Sequence, residues 1–335
     1  MLPQTLTPSA IVRELDQYVI GQDDAKKIVA VAVYAHFRKI DRARANDVAV
    51  VKSNVLLIGP SGTGKTLMCE TLSRILGVPF ATAEATALAQ TRFVNEEIEA
   101  VLQRLIERAH GDIDAARRGI VFIDEIDKLK SGSARESGSS GESVQHALLK
   151  IMEGAQVKLG DGRYLDTTDI LFICGGAFVA LDDIIKSQTH GYGFIATSTG
   201  DNRSILDRLN SRVKPTDLFT YGLIPEFTGR LPIIARFDTL TRAMLVRIMT
   251  EPRNAIYPQF LDIFKSEGVE LVVEPKVFDQ ISELAIEYKT GARSLRGLFE
   301  ELITPILYDV PDDKGIRKVV VSSMFSEPAY LRHGA

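Results

Sequence analysis

The sequence predicts an α/β fold in which a parallel sheet covered by helices is followed by a smaller, mainly helical domain. In the first part of the chain, short apolar runs alternate with helical stretches, and these runs are residues 55–58, 120–123, 170–173 and 233–235. A continuous apolar run bounded by glycine and charge is typical of a strand buried on both faces, as in a parallel sheet. The four runs therefore predict strands of one sheet.

Beyond residue 239 the pattern changes to amphipathic helices. Phe278, Ile281 and Leu284 recur at helical spacing, and a strand-like run at residues 269–273 interrupts the helices. We therefore expect a large domain over residues 1–238 and a small domain over residues 239–335.

Two helices and one loop complete the predicted organisation. The spacing of apolar residues predicts a helix over residues 8–18, and a turn at Gly21 leads to a second helix that ends at Arg38. Residues 131–143 are rich in Gly and Ser, which predicts a loop too polar to fold alone.

The composition excludes several classes of protein. With 45% hydrophobic and 25% charged residues and a net charge of −4, the chain has the profile of a folded globular protein and lacks a broad basic surface for nucleic acid. Cys69 and Cys174 form no Cys-x-x-Cys pair, and the sequence has neither a signal peptide nor an apolar span of membrane length. We expect a cytoplasmic protein without membrane contact, in which both cysteines are small buried residues.

A phosphate-binding loop is the most specific motif. Residues 59–66 read GPSGTGKT, which fits G-x-x-x-x-G-K-[ST] between an apolar strand and a helix. Lys65 is expected to reach the terminal phosphates, and the Thr66 hydroxyl is a candidate Mg²⁺ ligand. A chance glycine-rich turn is the alternative, and the strand–loop–helix context disfavours it. The predicted ATP-binding residues here are Gly59, Pro60, Ser61, Gly62, Thr63, Gly64, Lys65, Thr66 and Leu67.

Two carboxylates end the apolar run at residues 120–123. Asp124 and Glu125 follow it directly, and the carboxyl ends of strands are where open α/β sheets bind ligands. We expect Asp124 to hold Mg²⁺ at the nucleotide and Glu125 to act as the general base on water. The alternative is an acidic, solvated turn that includes Asp127.

With these residues in place, the sequence resembles the ClpX family of AAA+ ATPases over nearly the whole chain. Residues 18–22 resemble the family segment that flanks adenine, which implies adenine contacts for Val19 and Ile20. Residues 173–178 resemble the strand end beside the γ-phosphate.

The resemblance also assigns two arginines. Residues 223–230 resemble the box that carries the arginine finger, Arg230, and residues 291–296 resemble the sensor-2 helix with Arg293. It implies that Arg230 reaches the γ-phosphate of a neighbouring subunit, so hydrolysis requires a ring, expected to be a homo-hexamer, and that Arg293 touches its own chain's nucleotide. Either arginine could instead belong to a surface ion pair.

Several positions depart from the family pattern. The family's amino-terminal zinc-binding domain has no counterpart, so we expect no zinc. The pore loop reads Arg92-Phe93-Val94-Asn95, which keeps the aromatic–aliphatic pair but loses the flanking glycines. A helix start with a packed Phe93 is the alternative.

Two further departures concern partners. Residues 153–168 form a stretch shorter than its counterpart, in which Lys158 and Arg163 are the remaining basic residues. The peptidase-docking tripeptide corresponds to Tyr192-Gly193-Phe194, where Tyr192 replaces the family's Ile. Peptidase docking therefore stays open, and an ordinary exposed turn is the alternative.

The resemblance implies an ATP-dependent protein unfoldase or remodeller that uses ATP and Mg²⁺ and acts on unfolded or tagged proteins. A ClpP-type peptidase is its expected partner if the docking segment is functional, and a stand-alone remodeller is the alternative if it is not. A nucleic-acid motor or loader is a weaker alternative, because the pore-loop pair is not basic. A ring that binds ATP only as an assembly switch is disfavoured by Glu125 and Arg230.

Overall fold

The computed structural model describes residues 6–46, 52–91, 93–130, 141–189 and 213–332. Contacts group the chain into two compact units. The first unit comprises Met1–Ile11, Asp24–Gly59 and Cys69–Phe237, and the second comprises Val12–Asp23, Pro60–Met68 and Asp238–Ala335. The phosphate-binding loop is thus grouped with the carboxyl-terminal part of the chain. The two-domain division at residue 238 stays a proposal.

The strands of the described residues form three sheets. They are β1 Val55–Ile58, β2 Phe80–Glu84, β3 Ile120–Asp124, β4 Gln156–Lys158, β5 Tyr164–Asp166, β6 Leu171–Gly176, β7 Ile233–Arg236, β8 Glu270–Val273, β9 Ile316–Val321 and β10 Ala329–Arg332. A parallel five-stranded sheet has the order β2-β3-β6-β1-β7. The parallel sheet is confirmed, and β1, β3, β6 and β7 correspond to the four predicted runs.

The strand β2 was not predicted. It lies at an edge of the sheet, and its residues alternate between buried and more exposed positions. An edge strand has one fewer neighbour, so it needs no continuous apolar run, and the Ala-Thr-Ala sequence carries little strand signal.

The α-helices of the described residues are α1 Pro8–Asp16, α2 Asp23–Asn46, α3 Lys65–Leu76, α4 Ala85–Gln90, α5 Val94–Arg108, α6 Ile113–Ala116, α7 Gly141–Glu153, α8 Leu181–Thr189, α9 Pro215–Tyr221, α10 Pro225–Gly229, α11 Arg242–Thr250, α12 Ile256–Ser266, α13 Pro275–Glu287 and α14 Leu295–Asp309. Two 3₁₀-helices span Ile126–Leu129 and Gly291–Ser294. No helix of the described chain combines the length and the apolar character that a bilayer crossing needs.

Two predicted boundaries were wrong. The second helix continues beyond Arg38 to Asn46. Residues 141–143, predicted as loop, begin α7, because Val144 and Leu148 bury one face of this helix in the core and extend it into the polar stretch. Residues 131–140 lie outside the described residues.

The second unit is mainly helical, as predicted, but it also contains a three-stranded sheet in the order β10-β9-β8. β8 and β9 are parallel, and β9 and β10 are antiparallel. The strand β8 corresponds to the predicted run at residues 269–273. The strand β9 was missed because its sequence IRKVVV places two basic residues among the apolar ones.

The prediction of two buried cysteines is confirmed. Cys69 and Cys174 are both free and fully buried. Burial raises the pKa of the Cys174 thiol to about 12. It also raises the pKa of Cys69 well above its usual range, with a smaller contribution from the negative charge of Asp124. Neither thiol is therefore ionised near neutral pH.

A buried histidine and a partly buried lysine lie beside the turn that leads into β6. The Nε2 atom of His36 is 3.0 Å from the carbonyl oxygen of Asp169, and Lys52 Nζ donates to the Thr167 carbonyl at 2.6 Å. Burial, assisted by neighbouring positive charges, lowers the pKa of His36 to about 4, and burial lowers the pKa of Lys52 to about 7. His36 is therefore neutral in the folded protein at neutral pH.

We predict that the stability of the first unit falls as the pH is lowered from 6.5 to 4. Between these values the unfolded chain protonates His36 and the folded chain does not, so the free energy of unfolding decreases by about 3 kcal/mol. Urea unfolding at several pH values should show this dependence reduced in His36→Gln. His146→Gln, at an exposed histidine, serves as the control. Parallel pH curves for the parent and His36→Gln would contradict the assignment.

Candidate nucleotide site

The parallel register brings three strand ends to one edge of the sheet. β6 pairs with β1 on one side and with β3 on the other. The N–H of Gly59, directly after β1, donates to the carbonyl oxygen of Gly176, the last residue of β6, at 3.1 Å. The start of the phosphate-binding loop and the end of β3 therefore lie on either side of β6.

The carboxylates after β3 are held in a defined geometry. The Asp124 carboxylate accepts the Glu125 N–H at 2.9 Å, and Glu125 has left-handed backbone angles of φ 59 and ψ 31. Thr86 in α4 donates its hydroxyl to Glu125 Oε2 at 3.0 Å. A left-handed backbone is costly for a residue with a side chain, and such strain is concentrated at functional sites.

Thr86 is a residue that the sequence analysis missed. Its signal lies in the sheet register, because Glu84 at the end of β2 pairs with Asp124 at the end of β3. Thr86 follows Glu84 by two residues, and Glu125 follows Asp124 by one. Once β2 is recognised, the two side chains are expected at the same edge of the sheet.

Asp127 is not part of a solvated turn, so this alternative was wrong for it. Asp127 is 3% exposed, and its Oδ2 atom accepts the N–H of Phe178 at 3.3 Å. A side chain at Gly176 would place its Cβ 2.7 Å from Asp127 Oδ1, and one at Gly175 would come within 3.1 Å of Asp124 Oδ1. The glycine pair therefore leaves room for both carboxylates.

The phosphate-binding loop has the backbone that its glycines predict. Gly62 and Gly64 have φ values of 78 and 97, in the left-handed region that favours glycine. Lys65 Nζ donates to the Pro60 carbonyl at 2.9 Å, and the Thr63 hydroxyl donates to the same oxygen at 2.8 Å. α3 begins at Lys65, so the loop ends in the N-terminal turn of a helix, which favours anions.

Within the second unit, the loop contacts the 3₁₀-helix that carries Arg293. The N–H of Ala292 donates to the Gly62 carbonyl at 3.2 Å. A Cβ at Gly62 would lie 2.5 Å from the Thr290 carbonyl oxygen, and one at Gly291 would lie 3.0 Å from that of Ser61. The structure thus places the exposed Arg293 one residue from a direct backbone contact with the loop.

The segment with Val19 and Ile20 is firmly held in the same unit. Both side chains are buried, at 3% and 6% exposure. The side-chain amide of Gln22 donates to the Asp238 carbonyl at 2.9 Å and accepts the Asp238 N–H at 2.7 Å. This paired contact fixes the turn that follows Ile20.

Arg230 follows α10 and is half exposed. Its guanidinium forms an ion pair with Glu153 at 2.6 Å. The backbone carbonyl of Arg230 accepts a hydrogen bond from Asn54 at 3.2 Å. Among the described contacts, Arg230 thus has a partner in its own chain, which is also what the alternative of a surface ion pair predicts.

The predicted pore loop is only partly described. Arg92 lies outside the described residues, whereas Phe93 precedes the first residue of α5 and is 65% exposed. Val94 packs partly against the core, and Asn95 is exposed. The alternative of a packed Phe93 is therefore wrong, although the helix start that it assumed is present.

Two other predicted segments differ in how much the structure describes. The short stretch 153–168 contains the antiparallel hairpin of β4 and β5, in which Arg163 pairs with Asp161. The docking tripeptide Tyr192-Gly193-Phe194 lies outside the described residues.

Comparison with protein families gives two matches in succession. Residues 51–234 match the family described as AAA domain (Cdc48 subfamily), and residues 240–320 match the C-terminal, D2-small domain, of ClpB protein. The first match covers more than half of the chain. The two matched regions meet near residue 238.

Comparison with curated proteins identifies the family more closely. The ATP-dependent Clp protease ATP-binding subunit ClpX of Treponema denticola is 44% identical in an alignment 332 residues long, and the match covers 94% of this chain and 80% of that protein. The proteins of the same name from Borrelia duttonii and Borrelia recurrentis are each 43% identical over 333 residues, covering 94% of this chain and 77% of theirs. The chain therefore belongs to the ClpX family of AAA ATPases, and its activity is ATP hydrolysis coupled to protein unfolding.

Proposed function

We propose that the chain works as a ring of identical subunits, a homo-hexamer, that pulls polypeptide with Phe93 and Val94. One observation carries this proposal: Glu125 is hydrogen-bonded to Thr86 in α4, and α4 ends at Gln90, shortly before the exposed Phe93. A movement of Glu125 during hydrolysis can therefore be transmitted through Thr86 and α4 to Phe93.

The chemistry of the proposed donor side chains fits ATP with Mg²⁺. The Thr66 hydroxyl is exposed in the first turn of α3, and the Asp124 carboxylate is partly exposed at the end of β3. Hydroxyl and carboxylate oxygens are the ligands that Mg²⁺ prefers, and the ion would neutralise charge on the phosphates. Lys65 would exchange its Pro60 carbonyl partner for a phosphate oxygen, because a charged acceptor forms the stronger hydrogen bond.

Glu125 is the proposed general base. Its carboxylate accepts the Thr86 hydroxyl through Oε2, which leaves Oε1 to accept a proton from the attacking water. The left-handed backbone and the hydrogen bond to Asp124 fix where the side chain begins. The remaining residues of the site would bind rather than react: Val19 and Ile20 beside adenine, the loop residues on the phosphates, and Arg293 on the nucleotide.

We predict that Glu125→Gln binds ATP but hydrolyses it at least about 10²-fold more slowly, since a general base contributes about 10²–10⁴ in rate.

Thr86→Val, which removes only the hydroxyl, should reduce turnover by about tenfold because the carboxylate loses its orientation. Lys65→Ala is the comparison, because it should weaken ATP binding itself. Steady-state turnover and nucleotide binding measure both quantities. Near-normal turnover in Glu125→Gln would remove Glu125 from this role.

Arg230 is proposed to act in the neighbouring subunit. The exposed half of its side chain and its position after α10 leave the guanidinium at the surface of its own unit. An arginine supplied to a γ-phosphate contributes about 10³–10⁵ in rate where it has been measured. A single subunit should therefore be a poor ATPase, and the ring is needed for turnover.

We predict that a mixture of Arg230→Ala and Glu125→Gln subunits regains hydrolysis, although each variant alone is nearly inactive. A mixed interface pairs the intact arginine of one subunit with the intact glutamate of the next. The measurement is ATP turnover as a function of the mixing ratio, with mixing of subunits checked by co-purification of a tagged partner. No recovery in confirmed mixed rings would contradict action in trans.

The substrate class that the pore residues favour is polypeptide. Phe93 is 65% exposed and is followed by an aliphatic residue, an arrangement that grips irregular chains by apolar contact. The chain has a net charge of −4, which gives no general attraction for phosphate backbones. Unfolded or tagged proteins are therefore the proposed substrates.

A ClpP-type peptidase is the proposed partner, because the relatives named above are described as subunits of an ATP-dependent Clp protease. The segment proposed to dock is Tyr192-Gly193-Phe194. An aromatic residue beside glycine can fill an apolar pocket, and a buried aromatic anchor contributes about 2 kcal/mol or more to binding.

We predict that the protein binds a ClpP-type peptidase in the presence of ATP and that Phe194→Ala weakens binding by about thirtyfold, the equivalent of about 2 kcal/mol. Tyr192→Phe, which keeps the ring, is the matched control and should retain most of the affinity. Surface-immobilised peptidase measures both. Absence of binding by the parent would favour a stand-alone remodeller, and binding unaffected by Phe194→Ala would contradict the docking assignment.

A further inference from the structure

Arg230 and Glu153 form an ion pair, and each of the two residues lies at the end of a helix. Arg230 Nη2 lies 2.6 Å from Glu153 Oε1, and the two side chains are 50% and 41% exposed. Glu153 is the last residue of α7, and Arg230 directly follows α10. The two partners thus come from the ends of two helices that are far apart in sequence.

One buried amide ties these two helix ends together. Asn54 Nδ2 donates to the carbonyl of Met152, the residue before Glu153, at 3.4 Å, and to the carbonyl of Arg230 at 3.2 Å. Asn54 is 1% exposed and directly precedes β1, the strand that leads to the phosphate-binding loop. One buried side chain thus fixes the backbone next to Glu153 and the backbone of Arg230, which is not expected of an ion pair formed by chance at the surface.

The position of Glu153 on its helix is otherwise unfavourable. The C-terminal end of a helix carries partial negative charge, so a carboxylate there is destabilising unless a cation compensates it. Arg230 supplies this cation. An exposed pair of this kind contributes little to stability. Its main effect is therefore on the orientation of the guanidinium.

We propose that Glu153 is a positioning residue for Arg230, which orients the guanidinium toward the nucleotide of the neighbouring subunit. The inference rests on the proposed action of Arg230 in trans. Arginine has several N–H donors in a planar fork, so the guanidinium can keep its contact with Glu153 and still present donors to a phosphate. Without Glu153 the long side chain samples many rotamers, and the geometry needed for catalysis is populated less often.

The test uses mixed rings, because they separate the subunit that supplies the arginine from the subunit that hydrolyses ATP. Glu153→Gln, which removes the charge and keeps the shape, is placed in turn in each of the two complementing chains. In the first mixture the Glu125→Gln chain, which supplies Arg230, also carries Glu153→Gln. In the second mixture the Arg230→Ala chain, which supplies Glu125, carries it.

We expect the first mixture to hydrolyse ATP about tenfold more slowly than the parent mixture, and the second to match the parent mixture. A purely structural role for Glu153 would reduce both mixtures alike. Equal rates in the two mixtures, whether both normal or both reduced, would overturn the inference, as would a faster rate in the first. If the parent mixture itself regains no hydrolysis, the proposed action in trans fails, and the inference fails with it.

A matched control comes from the second unit. Glu251 follows α11 and pairs with Arg247 at 2.9 Å, with side-chain exposures of 49% and 51%. Glu251→Gln removes a carboxylate from a helix end and breaks an arginine ion pair of similar exposure. Placed in the chain that supplies Arg230, it should leave the rate of the mixture unchanged. An equal loss from Glu251→Gln would show that the Glu153 effect is not specific and would overturn the inference.

Discussion

β6 pairs in parallel with β3 on one side and with β1 on the other, and this pairing determines where the residues of the candidate site lie. It aligns the carboxyl ends of three strands, so that residues distant in sequence meet at one edge. The carboxylates after β3 then need space beside β6, and Gly175 and Gly176 provide it. The same register brings β2 alongside β3, which places the Thr86 hydroxyl on Glu125. The Glu125 carboxylate is therefore oriented by a contact that the sheet register sets.

A second constraint operates at the phosphate-binding loop. Gly62 and Gly291 lie so close together that a Cβ at Gly62 would be 2.5 Å from the Thr290 carbonyl oxygen and one at Gly291 would be 3.0 Å from that of Ser61, so a side chain at either position requires the facing backbone to shift. The loop and the Arg293 segment belong to the same compact unit, and the hydrogen bond from the Ala292 N–H to the Gly62 carbonyl joins them directly. In the first unit, Arg230 has two contacts. Its guanidinium pairs with Glu153 at the end of α7, and its backbone carbonyl accepts a hydrogen bond from Asn54, which directly precedes β1.

The features that the sequence predicted correctly are those that depend on residues close together in the chain. Continuous apolar runs predicted β1, β3, β6 and β7, and the glycine spacing predicted the loop before α3. The edge strand β2 was missed because burial on one face leaves no continuous run, and Thr86 was missed with it. The partners of Arg230 were not predictable, since the contact with Glu153 joins the ends of two helices and depends on how they pack. The roles assigned to the individual site residues stay predictions.

Coupling of ATP hydrolysis to movement of Phe93 can be measured as ATP-dependent unfolding of a stable fluorescent reporter that carries an unstructured tag, with loss of fluorescence as the readout. We expect the parent protein to unfold the reporter only with hydrolysable ATP and Phe93→Ala to abolish unfolding, because Phe93 is the exposed aromatic residue that follows α4, the helix whose Thr86 contacts Glu125. Unchanged unfolding by Phe93→Ala, or ATP hydrolysis stimulated by single-stranded DNA without any unfolding of the reporter, would contradict it.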